Sequence, residues 1–168
     1  MEADSAAEFA VFYQASMDRC LRAVLASVGD RQLAEDLVSE GFVRALMAWR
    51  KVRQHPAPGA WVVRTALNTR ISWSRRHRRE VPLTGGDAPA LPGPEPVMDA
   101  ALLAEVRQLP LRQREVIALR VFLDLDTQTT AAVLGIAPGT VGAHLSRAVA
   151  TLRGHMSSHI SDNEEATT

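Results

Sequence analysis

The run Val81-Pro-Leu-Thr-Gly-Gly-Asp-Ala-Pro-Ala-Leu-Pro-Gly-Pro-Glu-Pro-Val97 holds five prolines and three glycines. Each proline removes a backbone donor and fixes φ, so no regular element can run through it. The run divides the chain into an N-terminal domain over 5–79 and a C-terminal domain over 99–153, joined by a flexible linker over 80–98. Residues 154–168 are polar and acidic and read as a disordered tail.

On both sides of the run, apolar residues recur at helical spacing and no alternating pattern of useful length appears. Phe9, Phe12, Tyr13, Cys20, Val24 and Val28 form one series, which ends at Gly29. Asp30 is placed to cap a second helix through Leu33, Leu37, Val38, Phe42, Leu46 and Trp49. His55-Pro-Ala-Pro-Gly59 reads as a loop, and a third helix is expected from Ala60 to Arg79. Beyond the linker, Leu102, Val106 and Leu109 give a short helix that stops at Pro110. The apolar run Val116–Leu125 would also suit a strand, but its helical flanks favour a helix. The expected fold class is all-α: two small helical domains, the second a helix-turn-helix domain.

The 168 residues carry 19 Lys+Arg and 19 Asp+Glu, for a formal charge of zero. That balance excludes a uniformly basic coat protein but hides an asymmetry. Residues 1–40 carry a net −5, and residues 41–80 carry +9. No Asp or Glu occurs from Gly41 to Arg79, and the stretch ends in Arg75-Arg76-His77-Arg78-Arg79. Attraction to a polyanion is therefore a local property of this segment. No apolar run approaches the ~20 residues a membrane span needs. Met1 leads into Glu2 and Asp4 rather than into a signal peptide, and a lone Cys20 leaves no internal disulfide, so a cytoplasmic protein with no membrane partner is expected.

Three surfaces stand out. On the Ala60–Arg79 helix, Trp61, Arg64, Asn68, Ser72, Arg75 and Arg79 share one stripe, while Val62, Val63, Ala66 and Trp73 face the other way. Arginines with an amide and an aromatic suit phosphate contact and base stacking. A plain solvated face would include glutamates, and this one has none. On the preceding helix, Asp36, Ser39, Glu40, Val43 and Met47 leave carboxylates beside apolar groups, a composition that suits a partner protein. Internal packing of Val43 and Met47 is the bland alternative. The third surface lies in Asp126–Arg147, which has helix-turn-helix grammar: a capped short helix to Leu134, a turn at Gly135, and a second helix from near Thr140. Val141, Leu145, Ala148 and Leu152 would face inward, leaving Gly142, Ala143, His144, Ser146, Arg147 and Arg153 for DNA. His155 and His159 lack a third metal ligand, Cys20 sits at a core position, and no catalytic constellation or phosphate loop appears, so neither an enzyme nor a cofactor or metal is expected.

Over residues 8–153 the chain resembles the small two-domain extracytoplasmic-function (ECF) sigma factors of bacterial RNA polymerase. The resemblance lies in Ala34-Glu-Asp-Leu-Val-Ser-Glu-Gly-Phe-Val-Arg-Ala45, Ala60-Trp-Val-Val-Arg-Thr-Ala-Leu-Asn68, Leu109-Pro-Leu-Arg-Gln-Arg-Glu-Val116 and Leu134-Gly-Ile-Ala-Pro-Gly-Thr-Val141 with Leu145-Ser-Arg147. It implies a non-enzymatic subunit that binds core polymerase, reads promoter DNA and melts it. Asp36, Leu37, Ser39, Glu40, Phe42, Val43 and Met47 would then face the clamp helices of the largest subunit. Val52 and Asn68 would hold a flipped base, and Trp61, Arg64, Ser72, Arg75, Arg76, Arg78 and Arg79 would contact the −10 element. Thr140, Gly142, Ala143, His144, Ser146 and Arg147 would read the −35 element, with the second domain on the flap of the second-largest subunit. An anti-sigma factor is a possible further partner. The pattern has departures: Ser39 stands for a glutamine, Gly41 for a larger residue, Thr127 and Thr130 for an aromatic and an aliphatic. Gly142-Ala143-His144 replaces a basic, polar, basic trio, which predicts weak autonomous −35 binding. The rival readings are a stand-alone helix-turn-helix regulator and a sigma-like adaptor that cannot direct initiation.

Overall fold

The computed structural model describes the backbone of residues 3–80 and 99–165 and the side chains of 4–70 and 99–155. The linker, Ser72, Trp73 and the arginines at 75, 76, 78 and 79 fall outside the described side chains.

Helix α1 (Ala3–Val28) ends at Gly29, whose φ of 77° permits the reversal into α2 (Arg31–Met47). Asp30 caps α2 as expected, its carboxylate accepting from the Leu33 amide at 2.7 Å. The second helix is not continuous to Trp49: it closes at Ala48, and a short α3 (Trp49–Val52) follows. Helix α4 (Pro58–Glu80) begins two residues before the sequence places it, with Pro58 at its first turn. Its inward face is the expected one, with Val62, Val63 and Ala66 buried.

Two devices hold these four helices. Phe9, Phe12, Tyr13, Phe42 and Trp49 form a chain of ring contacts with centroids 4.9–6.5 Å apart, tying α1 to α2 and α3. At the α2–α4 crossing, a Cβ on Gly41 would lie 3.0 Å from the Val62 carbonyl oxygen and 3.1 Å from its Cγ1. The glycine that departs from the family pattern is thus what lets the two helices approach.

The C-terminal half comprises α5 (Ala100–Gln108), α6 (Leu111–Ile117), α7 (Thr127–Leu134) and α8 (Pro138–Glu165). Helix α6 widens into a π-turn over Ala118–Phe122, which rules out the strand considered for this run. Asp124, at φ 53°, and the Leu125 amide bonded to the Leu119 carbonyl at 3.1 Å then reverse the chain toward α7. Asp126 caps α7, Gly135 ends it at φ 66°, and α8 opens at Pro138 rather than near Thr140. The backbone of α8 stays helical to Glu165, across the segment that composition reads as a disordered tail.

The two halves do not have separate cores. Val106, Ala118, Leu119 and Val133 are buried in the same cluster as Cys20, Val24, Leu37, Val38, Val52, Val62 and Val63. Two small satellite clusters, around Leu109, Ile117 and Ala148 and around Val116, Ala131 and Val141, hold the helix-turn-helix together.

Candidate nucleic-acid interface

Helix α2 presents Asp36, Ser39, Val43 and Met47 to solvent, with Val43 51% and Met47 83% exposed. Neither apolar side chain is absorbed by internal packing. The carboxylates are held along the helix: Arg44 donates to Glu40 at 2.6 Å, and Gln32 donates to Asp36 at 3.4 Å. Two residues expected on this surface are not there. Leu37 and Phe42 point the other way into the core, because their helical phase is that of Val38 and Ala45 rather than of Asp36 and Val43.

On α4, Arg64 and Asn68 are exposed and Trp61 is half-buried on the same stripe. Here the structure removes a second expectation. Val52 ends helix α3 rather than lying in a loop, and its side chain is 1% exposed, so it cannot hold a base. The loop that follows is braced twice: the Ala57 amide donates to His55 Nδ1 at 3.0 Å, and Arg53 pairs with Glu8 at 2.9 Å.

In the helix-turn-helix, Thr140, Gly142, Ala143, Ser146 and Arg147 are exposed along α8, and Val141 and Ala148 are buried beneath them. His144 is only half available: its ring is partly buried, and Nδ1 is enclosed without a hydrogen-bond partner. No atom lies within 4 Å of where a Cβ on Gly142 would be, so the reading face is bare rather than blocked. The cap of α7 is electrostatically firm. The Thr129 amide and hydroxyl both donate to Asp126, at 2.8 and 2.9 Å, and hold its carboxyl below the usual carboxylate range. His155 sits 2.6 Å from Glu105, joining α8 to α5.

Sequence reasoning missed one juxtaposition. His55 and Pro56, with Trp61 and Arg64 of α4, face Gln128, Thr129, Ala132 and Val133 of α7 across a cleft of about 590 Å³. Arg64 Nη1 donates to the Ala132 carbonyl at 3.2 Å. These residues are 68 apart in sequence, and no local pattern signals the contact.

Residues 12–80 match the family described as Sigma-70 region 2, and residues 99–152 match Sigma-70, region 4. The chain is 34% identical to the RNA polymerase sigma-E factor of Streptomyces avermitilis, over 90% of this chain and 86% of that one. It is 32% identical to the ECF RNA polymerase sigma factor BldN of Streptomyces coelicolor, over 90% of this chain and 61% of that one. Its fold is shared with the sigma factor RpoE of Bartonella quintana, solved with the anti-sigma factor NepR: TM-score 0.74, 21% identity, 89% of this chain and 97% of that one. It is shared also with CnrH, solved with the cytosolic domain of CnrY: TM-score 0.59, 22% identity, 89% and 88%. With both regions present in order and a relative above 30% identity along most of its length, the chain belongs to the ECF group of the sigma-70 family: it is a non-enzymatic sigma factor that binds core RNA polymerase and promoter DNA and directs transcription initiation.

Proposed function

We propose a division of that activity among the three surfaces. The Asp36–Met47 sector of α2, with Ser39, Glu40 and Val43, docks on the clamp helices of the polymerase. The α4 stripe of Trp61, Arg64 and Asn68, continued by Ser72, Arg75, Arg76, Arg78 and Arg79, engages and melts the −10 element. The exposed face of α8 from Thr140 to Arg147 reads the −35 element, with the C-terminal half on the polymerase flap. The protein works in the cytoplasm, and an anti-sigma factor is a fitting regulator, since the fold neighbour RpoE was solved with one.

The observation that carries the reading is the separation of the first two surfaces. The α2 face is apolar with carboxylates, and the α4 face has a tryptophan, an amide and arginines with no acid among them. Proteins bind the first kind of surface, and phosphate and unstacked bases the second. Reversing charge at both Asp36 and Glu40 tests it. The double variant loses two i,i+4 contacts worth about 0.2–0.5 kcal/mol each, so the fold survives. Pull-down with core polymerase should fall sharply, and unchanged capture would remove the assignment. For α4, Asn68→Ala should alter base preference rather than overall affinity, because an amide reads a base edge and a phosphate contact does not. Permanganate footprinting of melted thymines reports it.

A further inference from the structure

Three arginines outside the polymerase-binding and DNA-reading surfaces gather at one place. Leu67 of α4, Val106 of α5 and Ala118 at the start of the π-turn are buried in one cluster. Arg70 lies three residues beyond Leu67, Arg107 follows Val106, and Arg114 lies one helical hydrogen bond before Ala118. Residues three or four apart share a helix face, so Arg70 and Arg114 stand at the rim of that cluster. Arg107 is held beside them. Its side chain crosses the α1–α2 turn so closely that a Cβ on Gly29 would lie 2.7 Å from its Cγ and 2.8 Å from its Nε.

The charge gathered here is not balanced within the chain. Among the described residues, none of the three arginines has an ion-pair partner. The acids that flank them in sequence are taken. Glu115 pairs with Arg112 at 3.0 Å, Glu35 pairs with Arg31 at 2.9 Å, and Asp30 accepts from the Leu33 amide. Arg114 Nε is enclosed and makes no hydrogen bond. Burial holds the Arg114 guanidinium below its ordinary range; Arg70 lowers it further, Glu115 offsets part of this, and Arg107 lowers it again. Like charges drawn together away from water cost stability unless an anion balances them. Each guanidinium offers a planar fork of donors that matches one edge of an oxyanion. A single carboxylate meets one fork, whereas a phosphate has oxygens and charge enough to meet several.

We propose that Arg70, Arg107 and Arg114 form a binding site for a phosphorylated small molecule, whose phosphate or diphosphate group bridges the three guanidiniums. The site exists only where α4, α5 and α6 are folded together, so the ligand stabilises the native chain by mass action. Inorganic diphosphate and a nucleoside diphosphate share this chemistry and are compared directly.

Thermal melting of the full chain, at an ionic strength fixed with sodium chloride and without divalent metal, is the test. At a hundredfold excess over Kd, inorganic pyrophosphate or a nucleoside diphosphate should raise the midpoint by roughly 5–10 °C and saturate. The compound that saturates at the lower concentration names the source, and no rise with either overturns the site. Arg114→Gln removes one fork and one like charge. Without ligand it should melt no lower than the unaltered chain, while the rise with pyrophosphate should shrink about threefold or more. A full rise in that variant overturns the proposal. The competing phosphate binder is the arginine run of α4. Replacing Arg75, Arg76, Arg78 and Arg79 with glutamine should leave the saturable rise intact, and its loss there would assign the anion to the run and overturn the site. A reading without substitutions comes from the side-chain Nε–H resonances of Arg70, Arg107 and Arg114. They should move together as pyrophosphate is added, and unmoved resonances overturn the proposal. The readouts involve neither polymerase nor promoter, so they succeed or fail apart from the roles given to α2, α4 and α8.

Discussion

Thr130 is fully buried, and its hydroxyl has no hydrogen-bond partner. A hydroxyl kept from water without a partner costs about 1–3 kcal/mol. Thr130→Val keeps the shape, removes the polar atom and restores the aliphatic character the family pattern expects. It should raise stability by about 1 kcal/mol in urea denaturation, and a destabilised variant would point to an unseen partner for the hydroxyl. Cys20 makes a second prediction. Burial pushes its thiol from an ordinary 9.0 to about 12, so the native state holds a proton that the unfolded chain has begun to lose. That contribution is complete below pH 9 and is lost as the pH rises toward 12. Denaturation midpoints should therefore decline over this range, and Cys20→Ala should flatten the decline.

At the scale of the element, capping and helix phase account for most of what was readable. Asp30 and Asp126 announce α2 and α7 because an N-cap is a local device, satisfied within three residues. Gly135 likewise marks the turn by itself. The three misplaced site residues have a different cause. Leu37, Phe42 and Val52 sit inside stretches that resemble functional motifs, but one residue along a helix turns a side chain by about 100°, and here that turn aims all three into the core. Two predictions belong to these elements. The depressed Asp126 carboxyl stabilises the folded state above the ordinary carboxylate range and loses that effect as the pH falls through its lowered value. Acid should therefore loosen α7 first, and amide exchange of Thr129 and Thr130 would show it. Gly142→Arg should strengthen −35 binding: the site is open, a guanidinium can bond guanine bidentately, and removing a mid-helix glycine favours α8 by up to about 1 kcal/mol. Gel shifts on matched and scrambled elements decide it.

The whole molecule is where sequence reasoning reached least far. The proline-rich run lies between two sets of helices, but nothing local reports that Val106, Ala118, Leu119 and Val133 are buried with α1, α2 and α4. Docking of the halves depends on pairs distant in sequence, and hydrophobic periodicity gives the phase of a face without naming what covers it. The shared core has a measurable outcome. A fragment beginning at Asp99 would expose that apolar face, so it should melt below the full chain and bind a hydrophobic dye that the full chain does not. Equal melting temperatures would show that the C-terminal half is self-sufficient. The bond from Arg64 to α7 carries one more implication, for inheritance. Its acceptor is a peptide carbonyl, present whatever side chain position 132 bears. Codon 132 can therefore drift freely while the contact persists, and only loss of Arg64 or of the α7 terminus would erase it. Variation at that position across descendants would be silent about a bond joining the two halves.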